Sequence, residues 1–152
     1  MSAAAALGLM FERFESQSRG ISLGQRPVVV DCSVVAAMLF EEAECHDAVA
    51  LMANTTAHAP ALLPYEIASV SSKKRRSGAP TEWLSAALLA FADLGIALRP
   101  VDLAGCVELA DYYKLSAYDA SYLWLAGELH VPLLTFDRRL GDAARRYLGL
   151  AG

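Results

Sequence analysis

The sequence predicts one α/β domain with a mostly parallel sheet covered by helices on both faces. Three observations carry that expectation. Short aliphatic runs, PVVVD at 27–31 and VPLLTF at 131–136, each pass at once into a stretch with helical patterning. Proline and glycine punctuate the chain where helices should begin and end, at Pro64, Gly78, Pro80 and Gly95. Strand-to-helix passages then recur along the chain, which is the signature of parallel crossovers.

The elements follow in order. The β-branched run 27–31 reads as a buried parallel strand ending in Asp31, and SVVAAMLFEE continues it as a helix. Residues 44–54 carry Ala48, Leu51 and Met52 at helical spacing, and AHAP at 57–60 is extended. Pro64 opens a helix that places Glu66 in its first turn and Lys73, Lys74, Arg75 and Arg76 near its C-terminal end, where the dipole favours cations. Gly78 stops it. Pro80 opens the next helix and Gly95 closes it, after which IALRPV at 96–101 reads as a strand. Residues 103–114 are predicted helical. Ser116 and Asp119 have the spacing of a capping box, with Asp at N3, for a helix running to His130. The last strand, 131–136, delivers Asp137 and hands over to RRLGDAARRYLG.

At 152 residues, 55% of them hydrophobic, the chain can bury about 68–70% of the surface its unfolded form would expose, and one core suffices. Mean hydropathy is +0.33, yet every apolar stretch is interrupted well before the roughly 20 residues that span a bilayer. No membrane partner is expected. The start lacks the basic region and apolar run of a secretory signal, so the expected location is cytoplasmic. Cys32, Cys45 and Cys106 form no CxxC pair, which argues against zinc and for reduced thiols. A net charge of −4 argues against nucleic-acid binding by the surface as a whole. Basic charge is instead local, in the 73–76 run and at Arg138-Arg139 and Arg145-Arg146.

Four acids, Asp31, Glu66, Asp119 and Asp137, stand where a strand ends or a helix begins. In a parallel sheet ligands bind outside the carboxyl ends of the strands, the edge these positions share. Each has an ordinary explanation, as an N-cap or as a first-turn acid facing the helix dipole. The flanking residues favour more. VVVD and LLTFD place carboxylates at the ends of buried strands, and YDASYLWLA places one beside aromatics. Buried carboxylates need partners, and no Lys or Arg has a fixed local position near Asp31, Glu66 or Asp119. An oxygen-only set of this kind suits Mg²⁺ or Mn²⁺, which would let several like charges stay ionised in one cleft. His46, His58 and His130 are scattered without a catalytic or ligand spacing, and Tyr112, Tyr113, Tyr118, Tyr122 and Trp124 read as core or dimer interface.

Four motifs in order resemble those of a PIN domain, specifically the toxin ribonucleases of bacterial VapBC-type toxin–antitoxin pairs. VVVDCSV resembles the opening D-x-S strand, PYEIASV the P-x-E segment, SAYDASYLWLA the Y-D-A-x-Y-x-x-L-A helix, and LLTFDRRL the closing L-x-T-x-D-x-x-L. The resemblance runs from about Val28 to Leu148 and implies a PIN-like three-layer α/β/α fold with a mostly parallel central sheet. It further implies that Asp31, Glu66, Asp119 and Asp137 coordinate Mg²⁺ or Mn²⁺ in an RNA-cleaving site, with Ser33 and Thr135 as accessory hydroxyls. Implied partners are RNA, with tRNA or other structured RNA as typical targets, a cognate antitoxin protein and a second copy of the chain in a homodimer. Lys73, Lys74, Arg75 and Arg76, on the same helical segment as Glu66, are the expected contacts to the RNA backbone, with a solvated helix face as the plainer explanation of the run.

Other readings are weaker. A haloacid-dehalogenase-like phosphatase needs a second Asp where this chain has Ser33, and a receiver domain needs a Lys that LLTFDRR lacks. A catalytically inactive PIN module, acting as an RNA-binding or assembly partner, would tolerate loss of an acid, whereas all four are present. The expected division is an N-terminal segment, 1–26, ahead of a nuclease domain, 27–149. In that segment Leu7, Met10, Phe11 and Phe14 form an apolar stripe at helical spacing, followed by a polar tether. Together with Arg13 or Arg19 it has the look of a tethered partner mimic, although a passive tail is the plainer expectation.

Overall fold

The computed structural model describes residues 24–149, so the stripe and tether expected in the N-terminal segment lie outside the described residues. Strand β1 (Arg26–Val30) leads into α1 (Cys32–Leu39) and α2 (Cys45–Met52), then β2 (Thr55–Pro60), α3 (Leu63–Arg76) and α4 (Thr81–Asp93). Strand β3 (Ala97–Arg99), α5 (Leu103–Tyr113), α6 (Ala117–Leu129), β4 (Leu133–Leu134) and α7 (Arg138–Leu148) follow.

The strands form one sheet in the order β3-β2-β1-β4, and every pairing is parallel. That order accounts for the layers. The first two crossovers step outward from β1 to β2 to β3, and the third returns to the far side of β1. Parallel crossovers are right-handed, so a reversal of direction moves the connecting helices to the opposite face. Accordingly α1 packs with α2, α3 and α4, whereas α6 packs with α5 and α7 and lies on β1, β2 and β4. This is the expected three-layer α/β/α arrangement.

Helices on both faces leave the central strand without a solvent side, and Val28, Val29 and Val30 are fully buried. Val35 and Leu39 of α1, Ile67 of α3, Leu123 of α6 and Leu140 of α7 close the core around them. Each such side chain contributes about 1.5–3 kcal/mol relative to exposure. Among the described residues no helix is long and apolar enough to cross a membrane.

Boundaries differ from the sequence expectation where proline and side chains compete with the ladder. Strand β4 has two residues where 131–136 is predicted. Pro132 has no amide hydrogen to give. Beyond Leu134 the amides of Phe136 and Asp137 donate to the hydroxyls of Ser33 and Thr135 instead of to a strand. Strand β3 stops at Arg99 before Pro100 for the first of these reasons. Strand β2 starts earlier than AHAP, because Thr55 pairs with Arg26. Gly78 and Gly95 end α3 and α4 in left-handed conformations (φ +95° and +65°), as their positions predict.

Candidate active site

Strands β1 and β4 are neighbours at the point where the strand order turns back. The chain leaving β1 enters α1 on one face and the chain leaving β4 enters α7 on the other, so a crevice opens between the two corners. Asp31 lies at the first corner and Asp137 at the second. Both are N-caps: Asp31 accepts from the amides of Ser33 and Val34, and Asp137 accepts from Leu140 at 2.8 Å.

Asp31 does more than cap a helix. Its Oδ1 accepts the Ser33 amide at 3.0 Å, the Val34 amide at 3.3 Å and the Ser33 hydroxyl at 2.6 Å. Its Oδ2 accepts the Thr135 hydroxyl at 2.7 Å. Ser33 Oγ in turn accepts the Phe136 amide at 2.9 Å, and Thr135 Oγ1 accepts the Asp137 amide at 3.0 Å. Two hydroxyls thus bind Asp31 on one side and the backbone of the β4–α7 corner on the other. They hold the two corners of the crevice in register. Asp31 is only 5% exposed, and burial pushes its pKa up although these hydrogen bonds pull it down.

Glu66 sits in the first turn of α3, half-buried, and Asp119 sits at N3 of α6, where its amide donates to the Ser116 hydroxyl at 3.0 Å. Burial raises the Glu66 pKa, a hydrogen bond from Tyr122 lowers it, and the charges of Asp119 and Asp31 raise it further. Three of the predicted acids, brought by α3, α6 and the end of β1, therefore share one electrostatic neighbourhood. Asp137 is exposed at the rim and joins them through Thr135. Arg138 and Arg139 do not pair with it, and Arg139 donates to the Lys114 carbonyl.

Two residues of the site escaped the sequence reading. Tyr122, predicted as core or interface, donates its hydroxyl to Glu66 Oε1 at 2.6 Å. Its spacing from Asp119, one helical turn, was the available signal. Cys32, next to Asp31, has its thiol pushed up to about 12 by burial and by the charges of Glu66, Asp31 and Glu42, so it stays protonated. The Lys73 charge acts on it in the opposite sense, which places one cation of the basic run within reach of the crevice. The rest of the run divides. Lys74 pairs with Glu42 at 3.0 Å and lies over the Phe40 ring at 5.1 Å, and Arg76 folds back on Ser72. Lys73 and Arg75 are exposed.

The donor chemistry fits a hard cation. Every predicted ligand is a carboxylate oxygen, and no Lys or Arg forms an ion pair with Asp31, Glu66, Asp119 or Asp137 among the described residues. Asp31 Oδ2 and Glu66 Oε1 each accept a single protein donor, which leaves Asp31 Oδ2 a lone pair and Glu66 a second oxygen. Among the described residues no group of three or more His, Cys, Asp or Glu is arranged as a ready-made cage. A small cation that keeps several waters and takes one or two carboxylates directly needs no such cage.

The comparisons with known proteins agree with this geometry. The family model described as PIN domain matches residues 28–146. Ribonuclease VapC3 of Mycobacterium tuberculosis, in two strains, is 33% identical over 120 residues, covering 76% of this chain and 86% of that protein. The crystal structure of PAE2754 from Pyrobaculum aerophilum superimposes with a TM-score of 0.64 at 22% identity, over 82% of this chain and 94% of that one, a likeness of fold. All four acids, both hydroxyls and the crevice they line fall inside the span that the family model matches, and the chain belongs to the PIN domain family.

Proposed function

We propose that the chain is a divalent-cation-dependent endoribonuclease, the toxin component of a type II toxin–antitoxin pair. The observation that carries this reading is the meeting of Asp31, Glu66 and Asp119 in one crevice, with burial raising the pKa of Asp31 and Glu66 and no Lys or Arg ion-paired with any of the three among the described residues. The similarity to Ribonuclease VapC3 supports RNA as the substrate and an antitoxin as the partner. The same reading carries tRNA as a target class and a homodimer as the assembly.

The protein's own groups divide the work. Ser33 and Thr135 fix Asp31 and the β4–α7 corner, so that the acids of two corners face one phosphodiester. Mg²⁺ or Mn²⁺ held by Asp31, Glu66, Asp119 and Asp137 would supply acidification of a water and charge neutralisation at the phosphate. A carboxylate oxygen of Glu66 or Asp119 left free of the cation accepts the proton of the attacking water. Lys73 and Arg75 take backbone phosphates of the flanking RNA. Hydrolysis leaves a 5′-phosphate and a 3′-hydroxyl.

Mapping of cleavage ends on total RNA, with Mg²⁺, with Mn²⁺ and with EDTA, tests the reading. Cleavage that persists in EDTA, or that Asp119→Asn leaves at full rate, would sink it.

A further inference from the structure

Tyr122 is the largest side chain buried to within 2% in this domain, with 1% of its surface exposed. Its ring packs among the helices covering the sheet, and its hydroxyl crosses from α6 to α3. A buried phenol needs a hydrogen-bond partner, and a backbone carbonyl would satisfy it. The partner is instead a carboxylate of the candidate site. Glu66 is half-buried and stands in the field of both Asp31 and Asp119. Desolvation and like-charge repulsion would both drive so flexible a side chain out toward water. The O–H···O⁻ bond at 2.6 Å opposes them, and such charge-assisted bonds are about twice as strong as neutral ones. It also distinguishes the two oxygens: Oε1 is engaged and Oε2 is left free to bind.

We propose that Tyr122 is a positioning residue for the cation site, its hydroxyl holding Glu66 so that Oε2 serves as a single-oxygen ligand alongside Asp31 and Asp119. The inference rests on the cation-dependent reading above. It assigns to a core tyrosine a share of the cation affinity that its packing does not require. The phenol itself touches neither cation nor RNA.

The test measures Mn²⁺ binding directly, by the loss of the free Mn²⁺ paramagnetic resonance signal, in the full chain and in Tyr122→Phe. Phe keeps the ring and removes only the hydroxyl. Mn²⁺ affinity should fall by about 10–100-fold, as it does when an outer partner of a metal ligand is removed. The Mn²⁺ concentration giving half-maximal cleavage should rise by the same factor, while the rate at saturating Mn²⁺ stays near that of the unaltered protein. Because Tyr122 acts through Glu66, the double variant Tyr122→Phe, Glu66→Ala should bind Mn²⁺ no more weakly than Glu66→Ala alone. This comparison holds even if Tyr122→Phe lowers stability, provided each variant is measured below its melting temperature. An unaltered Mn²⁺ affinity in Tyr122→Phe, or losses that add in the double variant, would leave Tyr122 a core residue and overturn the inference. An unaltered protein that binds no Mn²⁺ at all would overturn the cation-dependent reading, and this inference with it.

Discussion

Replacing Asp31 by Asn and by Ala separates its structural role from its chemical one. Its carboxylate accepts four hydrogen bonds, three at Oδ1 and one at Oδ2. Asn keeps an acceptor oxygen for the cap and is about as good an N-cap as Asp, so the start of α1 survives. Its amide meets Thr135, whose hydroxyl becomes the acceptor. The change also removes a desolvated charge. Asp31→Asn should therefore fall within about 1 kcal/mol of the unaltered protein, the net worth of one hydrogen bond. Ala loses the cap, at about 1 kcal/mol, and leaves the Ser33 and Thr135 hydroxyls without their acceptor. Each half-buried group so stranded costs toward the lower end of about 1–3 kcal/mol, partly offset by the lost charge, for a net cost of roughly 2–4 kcal/mol. At this chain length that lowers Tm by roughly 5–15 °C. Both variants should abolish cleavage. The pH dependence has a definite sign. Burial raises the Asp31 pKa, so the folded state holds its proton more tightly than the unfolded chain. The resulting stability is present below the ordinary carboxylate value and is lost as pH rises through the raised folded value. Glu66 is shifted in the same direction, so Asp31→Asn should reduce the loss on going from acid to neutral pH without removing it. Urea and thermal denaturation of the metal-free proteins across that window, with RNA cleavage alongside, provide the assay. An Asn variant as unstable as the Ala variant, or one that still cuts RNA, would refute the reasoning.

Replacing Lys73 and Arg75 together by Ala should flatten the salt dependence of RNA binding by about 1.4 in log–log slope, at about 0.7 per phosphate contact, whereas Lys74→Ala should leave the slope alone and lower stability through its contacts with Glu42 and Phe40. An unchanged slope in the double variant returns those cations to a merely solvated helix face. Gly105→Ala should destabilise by about 1–3 kcal/mol, since a Cβ there would lie 2.6 Å from Trp124 Nε1, and a neutral effect in denaturation would mean that the indole can give way. Deleting residues 1–23 should raise RNA cleavage if that segment occupies a groove of the domain, and equal activity and solubility would make it a passive tail.

What the sequence revealed best was whatever depends on local spacing. The apolar run at 28–30, the proline and glycine stops and the helix-opening acids required no knowledge of which segments meet. The strand order, with β4 beside β1, depends on long-range pairing that no local pattern encodes, and it is what sets Thr135 against Asp31. The helix ends at Lys114 and His130 were legible to within a residue; what no local pattern showed is that both close their helices in left-handed conformations (φ +57° and +55°). The Tyr122–Glu66 contact spans 56 positions and was likewise invisible, even though the spacing of Tyr122 from Asp119 already placed the two on one helix face.

Capping a helix and standing in the candidate site are not rival explanations of these acids. At Asp31 and Asp137 the two belong to a single arrangement. A parallel sheet ends every strand at one edge, and the helix that follows must have its first amides satisfied there. An aspartate at that corner meets the requirement with one oxygen, as Asp31 does with Oδ1, and its second oxygen, which accepts the Thr135 hydroxyl, keeps a lone pair for whatever enters the crevice. The hydroxyls of Ser33 and Thr135 extend the logic from one corner to the next: each donates to Asp31 and accepts an amide from the β4–α7 corner. The bonds that close the fold at its switch point are therefore the bonds that orient the candidate site. It follows that the short length of β4 is no defect of pairing. Extending the ladder through Phe136 would hand that amide to β1 and free Ser33 from the backbone it now aligns.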